Sequence, residues 1–413
     1  MAKSKYGFGD SRAVLAIPDY RYFLVGRFAV TLATQMQALI VSWQIYQLTK
    51  DPLALGLIGL VEAAVFFSFA LWAGHFADRN EKKRIIIITQ VLMLACTGAL
   101  MVISRDPQVH VGWIYGVIAF TGLARSFMWP ASFAYSELTV PRLIYARAAA
   151  WLSTTWEVGS VAGPALGGIL YAWKGPQAGY GVVALLLVAG ILSTLRMSPL
   201  PPVLKATLPD RHDLWVGVRF VFSNQIILGA LTLDMFAVLF GGPYAILPIF
   251  ADQILHVGAR GLGLLRAAPS VGAIGMAVYQ SYRPPLERVG KTLIIAVTLF
   301  GLAMIGFALS KNFWLSMVLL AFSGMVDNIS VVVRHSVLQA FSPDHLRGRV
   351  SAVNGIFIGS SNEIGAFESG VAAKFMGTVP SVIFGGLMTL ITVVAVAWKS
   401  PALRRLKTLH KAT

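Results

Sequence analysis

Ten ionisable residues lie in stretches that are otherwise apolar: the acids Glu62, Glu157, Asp234, Asp327, Glu363 and Glu368, and the bases Arg27, Arg125, Arg334 and His335. A charge at the centre of a bilayer costs about 2.5–3.5 kcal/mol on insertion scales, so such groups are expected to face the interior, pair, or line a wet cavity. Burial disfavours the charged form of a carboxyl, which can then take up a proton on one side and release it on the other. Asp234 is the first candidate for this role or for cargo contact. It precedes an aromatic, Gly/Pro-containing segment in which Gly241, Gly242 and Pro243 can bend the chain. Its alternative role is as the buried partner of an arginine.

The other charges suggest pairings. Asp327 and Arg334 are seven residues apart, nearly two helical turns, and share a face without reaching each other directly. Glu363 and Glu368, five apart, do not face each other squarely; each is open to a proton role or to structural pairing. Arg27 and Glu62 can pair between the first two apolar runs. Arg125, in GLARSFMWPASFAYSEL, is placed to pair with a carboxylate or a substrate. Glu157 precedes a glycine-rich segment by less than one turn. Glu137, near the end of its helix, is expected to join Arg79 or Arg142. Trp43, Tyr46, Phe66, Phe67, Trp156, Phe236 and Tyr244 offer surfaces to aromatic cargo, or simply pack helices.

The elements that must carry these residues are membrane helices. The 413-residue chain is 56% hydrophobic and 13% charged, with a mean hydropathy of +0.70. Soluble domains carry about 25% charged residues. The spacing predicts twelve spans at 21–48, 53–77, 85–104, 110–138, 144–173, 178–196, 226–250, 260–282, 289–310, 312–341, 350–373 and 379–398. The expected fold is an all-α membrane protein with two six-helix bundles around a central cavity. The domains are then 1–197, a cytoplasmic linker with a short amphipathic helix at 198–225, and 226–413 with a basic tail. No cleavable signal is evident, and the single Cys96 offers neither a disulfide nor a metal site.

The charge of +16 is distributed in a way that argues against nucleic acid binding. With both termini in the cytoplasm, 23 of the 34 lysines and arginines fall on the inner side and six on the outer, the positive-inside pattern. The two halves also echo each other at an offset of 202 residues. Pro141 meets Pro343, Arg147 meets Arg349, Gly163 meets Gly365, and Gly168 meets Gly370. Parallel repeats related by an axis along the membrane normal would give this pattern.

Two motifs carry a resemblance. GHFADRNEKKR (Gly74 to Arg84) bridges the second and third runs. Gly74 would permit close helix approach, Asp78 and Arg79 could cap or pair at helix ends, and Lys82, Lys83 and Arg84 would hold the loop at the anionic inner surface. GSVAGPALGG supplies a small-residue face through Gly159, Gly163, Gly167 and Gly168, with Pro164 limiting helix geometry. The first resembles the loop signature of the major facilitator superfamily, with Phe76 and Glu81 departing from its usual Leu and Gly. The second resembles that superfamily's fifth-helix antiporter motif. With DYRYFLVGRF (Asp19 to Phe28), DMFAVLFGGPYAILPIFA (Asp234 to Ala251), GLGLLRAAPSVGA (Gly261 to Ala273) and RGRVSAVNG (Arg347 to Gly355), most of the chain is similar to the drug-efflux branch that includes enterobactin and macrolide exporters.

The resemblance implies alternating access, in which Gly74, Asp78, Arg79, Lys83, Glu137, Arg142, Arg347 and Arg349 gate and Gly159, Gly163, Pro164, Gly167 and Gly168 seal against proton leak. It implies efflux of a small amphipathic molecule, a siderophore or drug, in exchange for protons across the bacterial inner membrane. The alternatives are a lysophospholipid transporter and, behind it, an organic-anion or metal-ion transporter. The chain lacks a Walker loop, and its histidines are dispersed. The expectation is therefore no enzyme, no cofactor and no metal, with the proton gradient as energy source. Expected partners are the cargo, protons and membrane lipids. The protein is expected to be a monomer that could meet a periplasmic or outer-membrane export partner.

Overall fold

A computed structural model describes residues 11–106, 109–200, 211–282, 288–343 and 346–407. All regular structure among these residues is helical. The main helices are α1 (Pro18–Thr49), α2 (Pro52–Arg79), α3 (Lys82–Ile103), α4 (Val111–Thr139), α5 (Tyr145–Leu195), α6 (Arg211–Ser223) and α7 (Gln225–Gly241). They continue with α8 (Gly258–Ser281), α9 (Val289–Leu309), α10 (Phe313–Phe341), α11 (Arg347–Met376), α12 (Thr378–Lys399) and the short α13 (Pro401–Arg405). Among the described residues, ten helical stretches are long and apolar enough to cross a membrane, α5 counted once. α11 is not among them, because its serines, asparagines and glutamates lower its hydropathy.

Two elements differ in detail from the expected spans. α5 extends over 51 residues, yet Lys174 (φ −134°, ψ 18°) and Gly175 (φ 72°, ψ −170°) leave helical geometry just before Pro176. The positive φ suits glycine, and the break separates the two runs read at 144–173 and 178–196. The run at 226–250 is not one helix. α7 stops at Gly241, and Gly242 is extended (φ −87°, ψ 102°) before Pro243. A 3-10 turn, a short helix at Leu247–Ile249 and a π-helical turn at Phe250–Ile254 follow. Gly242 and Pro243 therefore end the helix, where the sequence suggested only a bend. The short amphipathic helix read within 198–225 is α6, and Asn224 then caps α7 through the N–H groups of Ile226 and Ile227. Linker residues 201–210 and tail residues 408–413 lie outside the described residues.

The chain divides into two compact units, one of Met1–Gln44 and Val61–Ala206, the other of Ile45–Leu60 and Thr207–Thr413. In the first, Tyr20, Phe23, Ile85, Ile86 and Tyr135 form a buried cluster. Tyr20 donates to the carbonyl of Ala148 at 2.7 Å, which ties α1 to α5. In the second, several very tight approaches are at glycines, among them Gly272 against Ala321 and Gly385 against Phe240. Each would place a Cβ inside its neighbour's backbone, so only glycine permits the contact. Trp113, Trp173, Trp314 and Trp398 stand near helix ends, 66–79% exposed, where amphipathic rings border lipid and water.

Candidate functional site

The first unit holds Glu62 on α2 and Arg125 on α4. Gly122 brings the two helices into van der Waals range, since a Cβ there would sit 3.8 Å from the Glu62 Cα. One turn on, Arg125 Nη1 donates to Glu62 Oε2 at 2.8 Å. Glu62 therefore pairs with Arg125, and the expected Arg27–Glu62 pair is not formed. The side chains are 43% and 22% exposed, which leaves the pair within reach of solvent. Glu157 on α5 is half-buried and forms no ion pair among the described residues.

The second unit holds a different kind of pair. Asp234 on α7 and Arg334 on α10 are in direct ionic contact, with side chains 7% and 3% exposed. Asp234 is thus the arginine's buried partner, and it is the group on another helix through which Arg334 is tied. Asp327, also on α10, and Arg266 of α8 both lie within electrostatic range of the Tyr244 hydroxyl. Glu363 and Glu368 are half-buried on α11. Glu368 forms no ion pair among the described residues, and its neighbour Ser369 donates to the Gly242 carbonyl at 3.2 Å. His335 is exposed.

The glycine motif lies against α1. A Cβ at Gly159, Gly163 or Gly167 would meet Thr31, Gln35 or Met36, and Gln35 donates to the Ser160 hydroxyl at 2.9 Å. Pro164 and Gly168 are buried alongside. The second unit repeats this packing between α7 and α11, with Gly365 against Val238 and Leu239 of α7. The sequence echo at Gly163 and Gly365 thus corresponds to equivalent helix contacts.

The 74–84 segment behaves differently from expectation. A Cβ at Gly74 would meet nothing within 4 Å, so no close approach occurs there among the described residues. Asp78 and Arg79 are exposed and form no ion pair among them. Lys82 donates to the carbonyls of Asp78 and Asn80 at 2.9 and 3.2 Å. Lys83 donates to those of Leu195, at 2.9 Å, and Met197. Helix C-termini leave carbonyls without intrahelical partners, and both lysines are spent on them, leaving the surface to Arg79 and Arg84. Arg84 pairs with Glu81 at 2.7 Å. Glu137 is exposed and does not pair with Arg79; the Arg142 side chain lies outside the described residues. Arg347 is exposed, and the half-buried Arg349 packs against Gly217 of α6.

A charged cluster in the second unit was missed by sequence reasoning. Lys50 and Tyr46 both donate to Asp252, each at 2.9 Å, and Lys374 donates to Asp51 at 3.0 Å. Beside it, Gly56 and Gly59 lie against Ala366, Phe367 and Gly370 of α11. The adjacent Lys50–Asp51 between two apolar runs was the available signal, but its partners are some 200 and 320 residues away in sequence. No group of three or more potential metal ligands gathers among the described residues.

A family model described as transmembrane secretion effector matches residues 11–411. The chain belongs to this family of the major facilitator superfamily. The transporter is 26% identical to the enterobactin exporter EntS of Citrobacter koseri over 387 residues, covering 91% of this chain and 92% of the relative. It is also 26% identical to the enterobactin exporter EntS of Shigella flexneri over 389 residues, with the same coverage. Among solved structures, a POT family transporter in complex with 5-aminolevulinic acid superposes with a TM-score of 0.71 at 12% identity, covering 93% of this chain and 96% of that one. A bacterial homologue of the human lysosomal transporter Spinster gives 0.67 at 16% identity, covering 94% and 96%. These structures establish the fold: the transporter is an all-α, multi-pass membrane protein of the major facilitator type.

Proposed function

We propose that the transporter exports a small amphipathic molecule, of the siderophore or drug class, in exchange for protons by alternating access. It would act in the bacterial inner membrane as a monomer with both termini in the cytoplasm, handing cargo to a periplasmic or outer-membrane partner. Membership of a secretion family, with enterobactin exporters similar over 91% of the chain, supports the direction and the cargo class. The observation that carries the mechanism is the Glu62–Arg125 pair: two spans bear opposite charges in contact yet solvent-accessible, so the contact can exchange for another.

The acids divide by role in this reading. Asp234 is a strut, because neutralising it leaves the buried Arg334 uncompensated. Glu157 and Glu368 can change charge without breaking an ion pair, and they are the proton carriers we propose. The glycine face against α1 keeps water out of the helix seam, and the basic ends of the 74–84 loop and of α11 take part in gating.

The test uses oriented proteoliposomes with an imposed inward proton gradient. A catecholate siderophore, a macrolide and a lysophospholipid serve as parallel cargoes. Gradient-dependent siderophore or macrolide efflux that collapses with a protonophore is the expected result. Flux of the lysophospholipid alone would reassign the cargo, and flux indifferent to the gradient would remove proton exchange.

A further inference from the structure

The first unit contains an arginine that the Glu62–Arg125 pair does not account for. Arg27 on α1 is half-buried, and among the described residues its guanidinium forms no ion pair and donates no hydrogen bond. It lines a small internal pocket with Phe23, Gln90, Met128 and Ser132. Gln90 is 2% exposed and its Oε1 has no hydrogen-bond partner, so this buried acceptor in the same pocket does not engage the Arg27 guanidinium. Met128 lies three residues beyond Arg125 on α4, so the two share a face of that helix. Arg27 is therefore close enough to Arg125 for the two guanidiniums to feel each other's charge.

The local charge does not balance within this group. Glu62 pairs with Arg125 and not with Arg27. Glu157 on α5 forms no ion pair among the described residues. An uncompensated cation inside a span is costly, and such residues mark substrate or ion pathways. A guanidinium fork also matches an oxyanion through two parallel N–H bonds.

We propose that Arg27 and Arg125 form an oxyanion-binding subsite in the first unit, with Glu62 as its resident counter-ion. Cargo presents a compact acidic group, such as a carboxylate, a deprotonated catechol or a phosphate, at the exposed side of Arg125. The anion replaces Glu62 there, and Arg27 supplies the second positive charge. The subsite thus selects acidic over neutral amphipaths of the same shape. It deepens the export reading and rests on it only for the identity of the cargo.

Binding can be measured by calorimetry on the purified full-length protein in nanodiscs, using salicylate, phenyl phosphate and the neutral salicylamide. At least one acid is expected to bind tenfold or more tightly than salicylamide. Arg27→Gln should weaken that acid tenfold or more while leaving salicylamide unchanged, and Arg27→Lys should recover part of the loss. Glu62→Gln should act in the opposite direction and tighten acid binding several-fold, an effect that a structural role of the pair does not produce. Preference for the carboxylate or for the phosphate identifies the acid class. The subsite is overturned if neither acid binds at millimolar concentration, if salicylamide binds as well, if Arg27→Gln has no effect, or if Glu62→Gln weakens the acid. Acid binding without any efflux in proteoliposomes would sink the export reading and keep the subsite; efflux without acid preference would do the reverse.

Discussion

At the residue scale, two ion pairs that look alike in sequence differ in what their loss should do. Arg334 and Asp234 are almost wholly buried. Removing one partner of a buried pair destabilises by about 3–5 kcal/mol, whereas replacing both with apolar residues can be neutral. Asp234→Asn should therefore lower the thermal midpoint sharply in detergent, and Asp234→Leu with Arg334→Met should restore much of it. A double variant no more stable than Asp234→Asn would show that the pair is not the reason. Glu62 and Arg125 are partly exposed, and an exposed pair contributes roughly 0–1 kcal/mol. Arg125→Gln should leave insertion and thermal midpoint nearly unchanged while abolishing gradient-driven efflux. Folded Arg125→Gln protein that still transports normally would remove the pair from the mechanism.

At the element scale, glycine positions separate helix contacts from open faces. Gly163 allows α5 to lie on α1 at Gln35, where an added Cβ would come within 2.6 Å of another side chain. Gly163→Val should disrupt the α1–α5 seam, seen as loss of monodisperse protein by size-exclusion chromatography. Gly74→Ala should be tolerated within about 0.5 kcal/mol, the range of ordinary surface changes, because nothing stands within 4 Å. The same logic applies to Lys374 and Asp51, 46% and 32% exposed. Lys374→Ala should cost at most about 1 kcal/mol, and the difference from the parent protein should shrink in high salt. A large, salt-independent loss would mean that Lys374 packs rather than pairs.

At the scale of the whole molecule, the transporter's topology can be tested through its lone thiol. Cys96 is buried, and replacing it with Ala gives a background without cysteine. Lys311→Cys should then react with a membrane-impermeant maleimide from the outside of right-side-out vesicles, and Lys399→Cys only after inversion or permeabilisation. The opposite accessibility would invert the orientation argued from the distribution of basic residues.

The sequence by itself determined where the helices lie and the repeat between the halves, and it set an expectation for their orientation. Apolar runs of span length, basic residues between them and Gly163 matched with Gly365 are local or periodic signals, and a bilayer leaves helices as the simplest way to satisfy the backbone within such runs. It also marked the charges that lie within spans, since an acid or arginine in an apolar run stands out without any partner in view. Tertiary structure alone decided who pairs with whom. Glu62 could face Arg27 or Arg125 equally well on paper, and only the rotation of α2 and α4 about the Gly122 contact brings it to Arg125. Asp234 reads in sequence as either a proton-coupling acid or an arginine's buried partner, and only the placement of Arg334 on α10 decides for the second. The same holds for Lys82 and Lys83, which count as surface charge in sequence and become caps once helix ends lie beside them. Side-chain pairing depends on helix rotation and register between elements distant in sequence, and no spacing along one chain encodes those directly.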